Sequence, residues 1–128
     1  MIAMYRIGRR FTFDAAHHLD GLPDGHKCSR QHGHTYTVEV ELAAADLAPP
    51  GFVTDFADLA PLGTYLDTHF DHRDLNDILA IQPTSENLAR HLYDWCAANL
   101  QAKVRGAIAA VRVHETPASW AEYRPALP

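Results

Sequence analysis

Cys28-Ser29-Arg30-Gln31-His32-Gly33-His34 runs directly into Thr35-Tyr36-Thr37-Val38-Glu39-Val40-Glu41-Leu42. From Tyr36 onward, apolar residues hold the even positions and polar residues the odd ones. A period of two marks a half-buried strand, whose successive side chains point to opposite faces. His32 and His34 are even-numbered, so they fall in phase with the buried row. If the strand begins that early, their Cα atoms stand roughly 6.5 Å apart, and two imidazoles at that spacing can converge on one metal ion. Gly33 removes the side chain between them and lets another backbone or a ligand approach. A lone histidine on an apolar face reads as a core residue with a hydrogen-bond partner. His-x-His in this phase, four residues after a cysteine, reads instead as a metal-binding pair that needs a third ligand.

Upstream, Tyr5, Ile7, Phe11 and Phe13 occupy odd positions, while Arg6, Arg10 and Thr12 occupy even ones. This predicts a first strand from Ala3 to Phe13, with Arg9 an exception on the inner row and Asp14-Ala15-Ala16-His17-His18 at its end. A loop follows from Leu19 to Gln31, punctuated by Gly21, Pro23 and Gly25. Downstream, the second strand ends near Ala44, and Asp46 to Gly51 is a turn. Phe56, Leu59, Leu62, Leu66 and Phe70 recur at three and four residues and predict a helix, with Asp58 as its cap and Pro61 in its first turn. Asp71-His72-Arg73-Asp74 closes that helix, and Leu75 to Gln82 is a connection. Thr84 caps a second helix, whose stripe is Leu88, Leu92, Trp95, Cys96 and Leu100. Cys96 reads as a small buried hydrophobe. Ile108 to Glu115 is a third strand with Val111, Val113 and Glu115 on one face, and Trp120 to Tyr123 a short fourth. The order ββααββ predicts an α+β fold: a four-stranded antiparallel sheet with two helices on one face. Such a sheet has open edges, which a partner subunit would cover.

At 128 residues the natural count is one domain spanning 1–128. The formal charge of −5 gives no general attraction to nucleic acid or to an anionic membrane. Met1 to Arg10 holds no apolar run long enough for a signal peptide and no stretch approaches transmembrane length, so neither is expected. The two cysteines fall in unrelated settings, a His-rich loop and a helical stripe. Reduced thiols in a cytoplasmic protein are therefore expected.

The third metal ligand should come from sheet near His32 and His34. His17 is the nearest candidate, with His18 and His26 as competitors. Three neutral imidazoles would hold Zn²⁺ with an open fourth position. Cys28 either fills that position, closing an inert structural site, or stands outside it as a reactive thiolate beside Lys27, Arg30 and His26. Asp71-His72 reads either as a carboxylate orienting an imidazole for proton transfer or as an ion cluster at a helix end. Glu115 lies either at the solvated rim of its strand or as a buried anchor for a polar ligand.

Several segments together carry a family resemblance. They are Phe11-Thr12-Phe13-Asp14-Ala15-Ala16-His17, Gly25-His26-Lys27-Cys28, His32-Gly33-His34-Thr35-Tyr36, Val53-Thr54-Asp55-Phe56, Phe70-Asp71-His72, Leu75-Asn76-Asp77, Pro83-Thr84-Ser85-Glu86-Asn87-Leu88 and Val113-His114-Glu115-Thr116. Through them the chain resembles the 6-pyruvoyl-tetrahydropterin synthase family nearly end to end. The Cys-x-x-x-His-Gly-His spacing resembles its bacterial branch, which makes 6-carboxy-5,6,7,8-tetrahydropterin; the pyruvoyl branch has a longer gap. The resemblance implies that His17, His32 and His34 are zinc ligands, that Cys28 is the proton acceptor, and that Asp71 and His72 are its relay partners. It also implies that Glu115 anchors the pterin ring and joins the proton relay, and that Thr84 and Ser85 belong to the pterin-binding segment. His18 departs from the pattern, standing where many relatives carry Arg for the substrate's phosphates. Gln31 departs too, where Leu is common.

The implied fold is the tunnelling fold, whose subunits join sheets into an oligomeric barrel, here a homohexamer built as a dimer of trimers. The implied activity is a zinc-dependent lyase acting on 7,8-dihydroneopterin triphosphate in the route to queuosine and related 7-deazapurines. The products expected are 6-carboxytetrahydropterin, acetaldehyde and triphosphate. Two rivals remain: 6-pyruvoyl-tetrahydropterin synthase activity, and a non-catalytic zinc module closed by Cys28.

Overall fold

Two thirteen-residue strands set the frame. In the computed structural model, which describes residues 4–125, β1 (Tyr5–His17) and β2 (His32–Ala44) pair antiparallel along their whole length, from Tyr5 opposite Ala44 to His17 opposite His32. Ala3, the predicted start of the first strand, lies outside the described residues. β1 also runs four residues further than its apolar alternation indicated, so His17 sits on the strand itself. Further along the chain come α1 (Ala60–His69), β3 (Arg73–Asp74), α2 (Leu75–Ile78), α3 (Ser85–Asn99), β4 (Ala107–Thr116) and β5 (Ser119–Tyr123).

Among the described residues the sheet has five strands, in the order β3-β1-β2-β4-β5. This corrects the expected four-stranded, wholly antiparallel sheet and the order ββααββ, since β3 pairs parallel with Ala15 and Ala16 of β1. The physical reason lies in the length of β1. Its last residues need partners on the outer edge, and the chain leaving α1 supplies them: His72 N–H donates to the Asp14 carbonyl, and Asp14 N–H donates to Asp71 Oδ1. Two residues are too few to show an alternation. The connection after them is also partly helical. Asp74 caps α2 by accepting the Asn76 N–H.

One face of the sheet carries the core. Phe13 and Ala15 of β1, Tyr36, Val38, Val40 and Leu42 of β2, and Val111 and Val113 of β4 are all buried. They pack with Leu62 and Leu66 of α1 and Leu88, Leu92 and Cys96 of α3 in a single cluster, so both long helices lie on this face. Thr84 caps α3 by accepting the Asn87 N–H. A one-turn 3-10 helix, Phe56–Leu59, precedes α1 and is capped by Asp55; the predicted cap, Asp58, accepts the Thr54 hydroxyl instead. Burial pushes the Cys96 thiol up to about 12.

The opposite face is charged. Arg124 makes two hydrogen bonds to Glu41, at 2.7 and 3.0 Å, and two more to Glu122. The guanidinium holds the Glu41 carboxyl below its usual range. Among the described residues, the edge of β1 away from β2 has no strand partner before Ala15, and the outer side of β5 has none.

Candidate metal centre and proton-transfer groups

The register places the histidines. His17 lies directly opposite His32 on the adjacent strand, and His34 lies opposite Ala15, whose small side chain leaves room. All three point to the core-side face, at the end of the sheet where that face opens. His17 Nδ1–H donates to the Pro83 carbonyl at 2.8 Å and reaches the Tyr36 hydroxyl at 3.3 Å. His32 Nδ1–H donates to the Arg30 carbonyl at 2.7 Å. A carbonyl can only accept, so each ring carries its proton on Nδ1 and presents the Nε2 lone pair. Those two Nε2 atoms stand 3.0 Å apart.

His34 Nε2 is buried and makes no hydrogen bond, although it lies 2.7 Å from Glu115 Oε1. Burial, with the other two imidazoles, lowers the pKa of His34 despite the opposing effect of Glu115. Lone pairs facing one another at this range suit a shared cation. Two nitrogens bound to one zinc at about 2.0–2.1 Å stand about 3.3 Å apart. The donor atoms of His17, His32, His34 and Glu115 all lie within 4.8 Å of one another. The residues present therefore fit a zinc ion. His18, a competitor for the third position, turns its Nε2 toward Asp20 at 3.6 Å.

Glu115 is the member of the cluster that the alternation of β4 left undecided. It is half-buried, with Oε1 toward His34 and, at 3.6 Å, His17. The Ser85 hydroxyl donates to its Oε2 at 2.8 Å. Ser85 thus touches the carboxylate from the first turn of α3, while the Thr84 hydroxyl serves the helix cap. Pro83, Thr84 and Ser85 support the centre from one short segment: a carbonyl on His17, a cap on the helix and a hydroxyl on Glu115. The two carbonyl contacts were invisible in the sequence, because any residue supplies a carbonyl.

Cys28 lies on a 3-10 turn, Lys27–Ser29, that the His26 side chain caps by accepting the Cys28 N–H. It lines a cavity of about 650 Å³ together with His32, His34, Glu115, Lys27 and Arg30. It is not a member of the four-residue cluster. Asp71 and His72 stand elsewhere, between α1 and β3. His72 lines a second cavity, which shares Gln31 and His34 with the first. Within one chain, then, Cys28 and the Asp71–His72 pair do not share a cavity.

Asp71 and His72 do bond to each other, with His72 Nδ1 and Asp71 Oδ2 2.8 Å apart. Neighbouring residues seldom meet in this way. Here the backbone of His72 is left-handed, at φ 58°, an uncommon conformation for a residue with a side chain. Asp71 is fixed in turn by the Asp14 N–H, which together with His72 lowers its pKa. The bond to Asp71, and its charge, raise the pKa of His72, whose side chain is 78% exposed. Asp71→Asn is expected to bring the His72 titration, followed by NMR, down toward an ordinary histidine value of about 6.5. An unmoved titration would mean that the pair is not coupled in solution.

Comparison with known proteins follows the same lines. Residues 6–126 match the family described as 6-pyruvoyl tetrahydropterin synthase. The chain is 36% identical over 126 residues to the 6-carboxy-5,6,7,8-tetrahydropterin synthase of Bacillus subtilis (strain 168), covering 94% of this chain and 86% of that one. It is 37% identical to the protein of the same name from Synechocystis sp., covering 94% and 93%. Among solved structures it resembles the Caenorhabditis elegans 6-pyruvoyl tetrahydropterin synthase, with a TM-score of 0.79, 26% identity and 98% of each chain covered.

Proposed function

The chain belongs to the 6-pyruvoyl tetrahydropterin synthase family and has its tunnelling fold, and on that premise we propose that it is a zinc-dependent lyase. It would convert 7,8-dihydroneopterin triphosphate and water to 6-carboxy-5,6,7,8-tetrahydropterin, acetaldehyde and triphosphate, in the route to queuosine and related 7-deazapurines. The observation that carries this reading is the convergence of three imidazoles and a carboxylate, with His32, His34 and Glu115 of that cluster lining one cavity with Cys28. The names of the relatives point to the carboxy product.

His17, His32 and His34 would hold the zinc. When bound there, it supplies positive charge that stabilises developing oxyanions on the substrate's side-chain hydroxyls. Glu115 accepts N–H bonds from the amidine edge of the pterin, a charge-assisted pairing that fixes the ring. Ser85 holds the plane of that carboxylate. Cys28 Sγ takes a proton from the side-chain carbon next to the ring, and His72, oriented by Asp71, carries protons to and from it. Because His72 does not line the Cys28 cavity of its own chain, the relay would join His72 to Cys28 of a neighbouring copy. The unpaired edges of β1 and β5 support such an assembly, a homohexamer of two trimers. No described helix is long and apolar enough to cross a membrane.

Product analysis tests the assignment. Incubation with 7,8-dihydroneopterin triphosphate is expected to release acetaldehyde in step with the carboxy product. Triphosphate release with a pyruvoyl product and no acetaldehyde would move the protein to the other branch of its family.

A further inference from the structure

Arginines and lysines in this chain are mostly spoken for. Of the eleven, five arginines lie within 4.0 Å of a carboxylate, and Arg9 and Arg73 donate to backbone carbonyls. Among the described residues, four cationic side chains have no such partner: Lys27, Arg30, Lys103 and Arg105. Two of these, Lys27 and Arg30, line the cavity that holds Cys28, His32, His34 and Glu115. They flank Cys28 on its 3-10 turn and are exposed. The acid that lines this cavity, Glu115, is already engaged by Ser85 and the imidazoles. His18 faces Asp20 and does not line the cavity.

An unpaired guanidinium and an unpaired ammonium at the mouth of a reaction cavity call for a ligand with several negative charges. Arg offers a planar fork matched to phosphate oxygens, and Lys a mobile point charge. We propose that Lys27 and Arg30 form the polyphosphate subsite of this cavity, holding the triphosphate of the substrate and of the departing product. The inference rests on the pterin triphosphate reading above and assigns the part of the substrate that the metal and Glu115 leave unheld. Lys27 and Arg30 are binding residues here, and Cys28 between them is placed to act on the carbon chain that joins ring to phosphate.

The test uses the zinc-loaded full chain, with inorganic triphosphate as the probe in calorimetry. Lys27→Met and Arg30→Gln should each weaken its binding about 10-fold, and the double variant about 100-fold, as expected for hydrogen bonds to charged groups. Zinc content after titration, thermal midpoint and the affinity for phosphate-free 7,8-dihydroneopterin should stay unchanged, which a merely structural role would not allow. In turnover, the loss should fall mainly on KM. Lys27→Arg should keep most of the affinity. Lys103→Met removes an equally unpaired cation outside the cavity and should change nothing. Inorganic triphosphate held as tightly by the double variant, or weakened equally by Lys103→Met, overturns the subsite. If the two cations bind triphosphate but the protein turns over no pterin triphosphate, the subsite stands and the reaction assignment falls.

Discussion

Replacing His17, His32 or His34 by alanine is expected to empty the metal centre. Loss of a group that merely orients a ligand typically costs 10–100-fold in metal affinity, so loss of the ligand itself should cost more than about 100-fold. Zinc measured on the purified protein should fall from about one per chain to a small fraction of that. The three variants should differ in stability. His17 is only 1% exposed, and its removal strands the Pro83 carbonyl and opens a hole beside Tyr36. His32 and His34 are half-buried, and their loss disturbs less packing. His17→Ala should therefore unfold at a clearly lower temperature than the other two, even when all are compared without metal. His18→Ala, changing a side chain turned toward Asp20, should keep its zinc. Glu115→Gln should keep it as well if the carboxylate serves the pterin; zinc loss in that variant would make Glu115 the fourth ligand. Unchanged metal in all three alanine variants would sink the site.

The second large effect falls on Cys28. Cys28→Ala is expected to lower turnover by roughly 10²-fold or more, the usual scale for removing a positioned proton-transfer group. Zinc and thermal stability should stay near normal, because Cys28 lines the cavity without belonging to the ligand cluster. A structural site closed by this thiolate would behave in the opposite way, since metal binding there is also folding energy. Zinc loss together with unfolding would overturn the proton-acceptor role. His72→Ala should repeat the pattern of retained metal and lost turnover. Mixing the Cys28 and His72 variants offers a further check: if the relay crosses between copies, hybrid oligomers should regain part of the activity that each variant lacks alone.

Much of this arrangement was legible in the residues. The alternation through Tyr36, Val38, Val40 and Leu42 gave β2 its buried face and put His32 and His34 on it, because side-chain direction on a strand follows from parity alone. Helices with clear stripes and a capping threonine were readable for the same local reasons. What stayed hidden depended on backbone partners and dihedral angles. β3 is two residues long and exists because the end of β1 needs an edge. The reach of β1 to His17 carries only a weak apolar marker, since Ala15 is small and Ala16 beside it blurs the alternation. The Asp71–His72 bond needs a left-handed residue that no composition announces, and adjacency in sequence argued against it. Glu115 is evenly poised between rim and anchor in the sequence, and its contacts with Ser85 and His34 come from elements that no local pattern brings together.

Cys96 gives the chain a practical asymmetry. A thiol walled off by α3 and the sheet, and pushed up to about 12, offers almost no thiolate at neutral pH. Cys28 is the half-exposed one of the pair and opens onto the cavity lined by His32, His34 and Glu115. An alkylating reagent should therefore add one label per native chain and two after denaturation, a difference that mass spectrometry reads directly. The folded protein thus carries a single chemical address at its candidate site, where a fluorophore, a spin label or a covalent inhibitor can be attached without engineering away another cysteine.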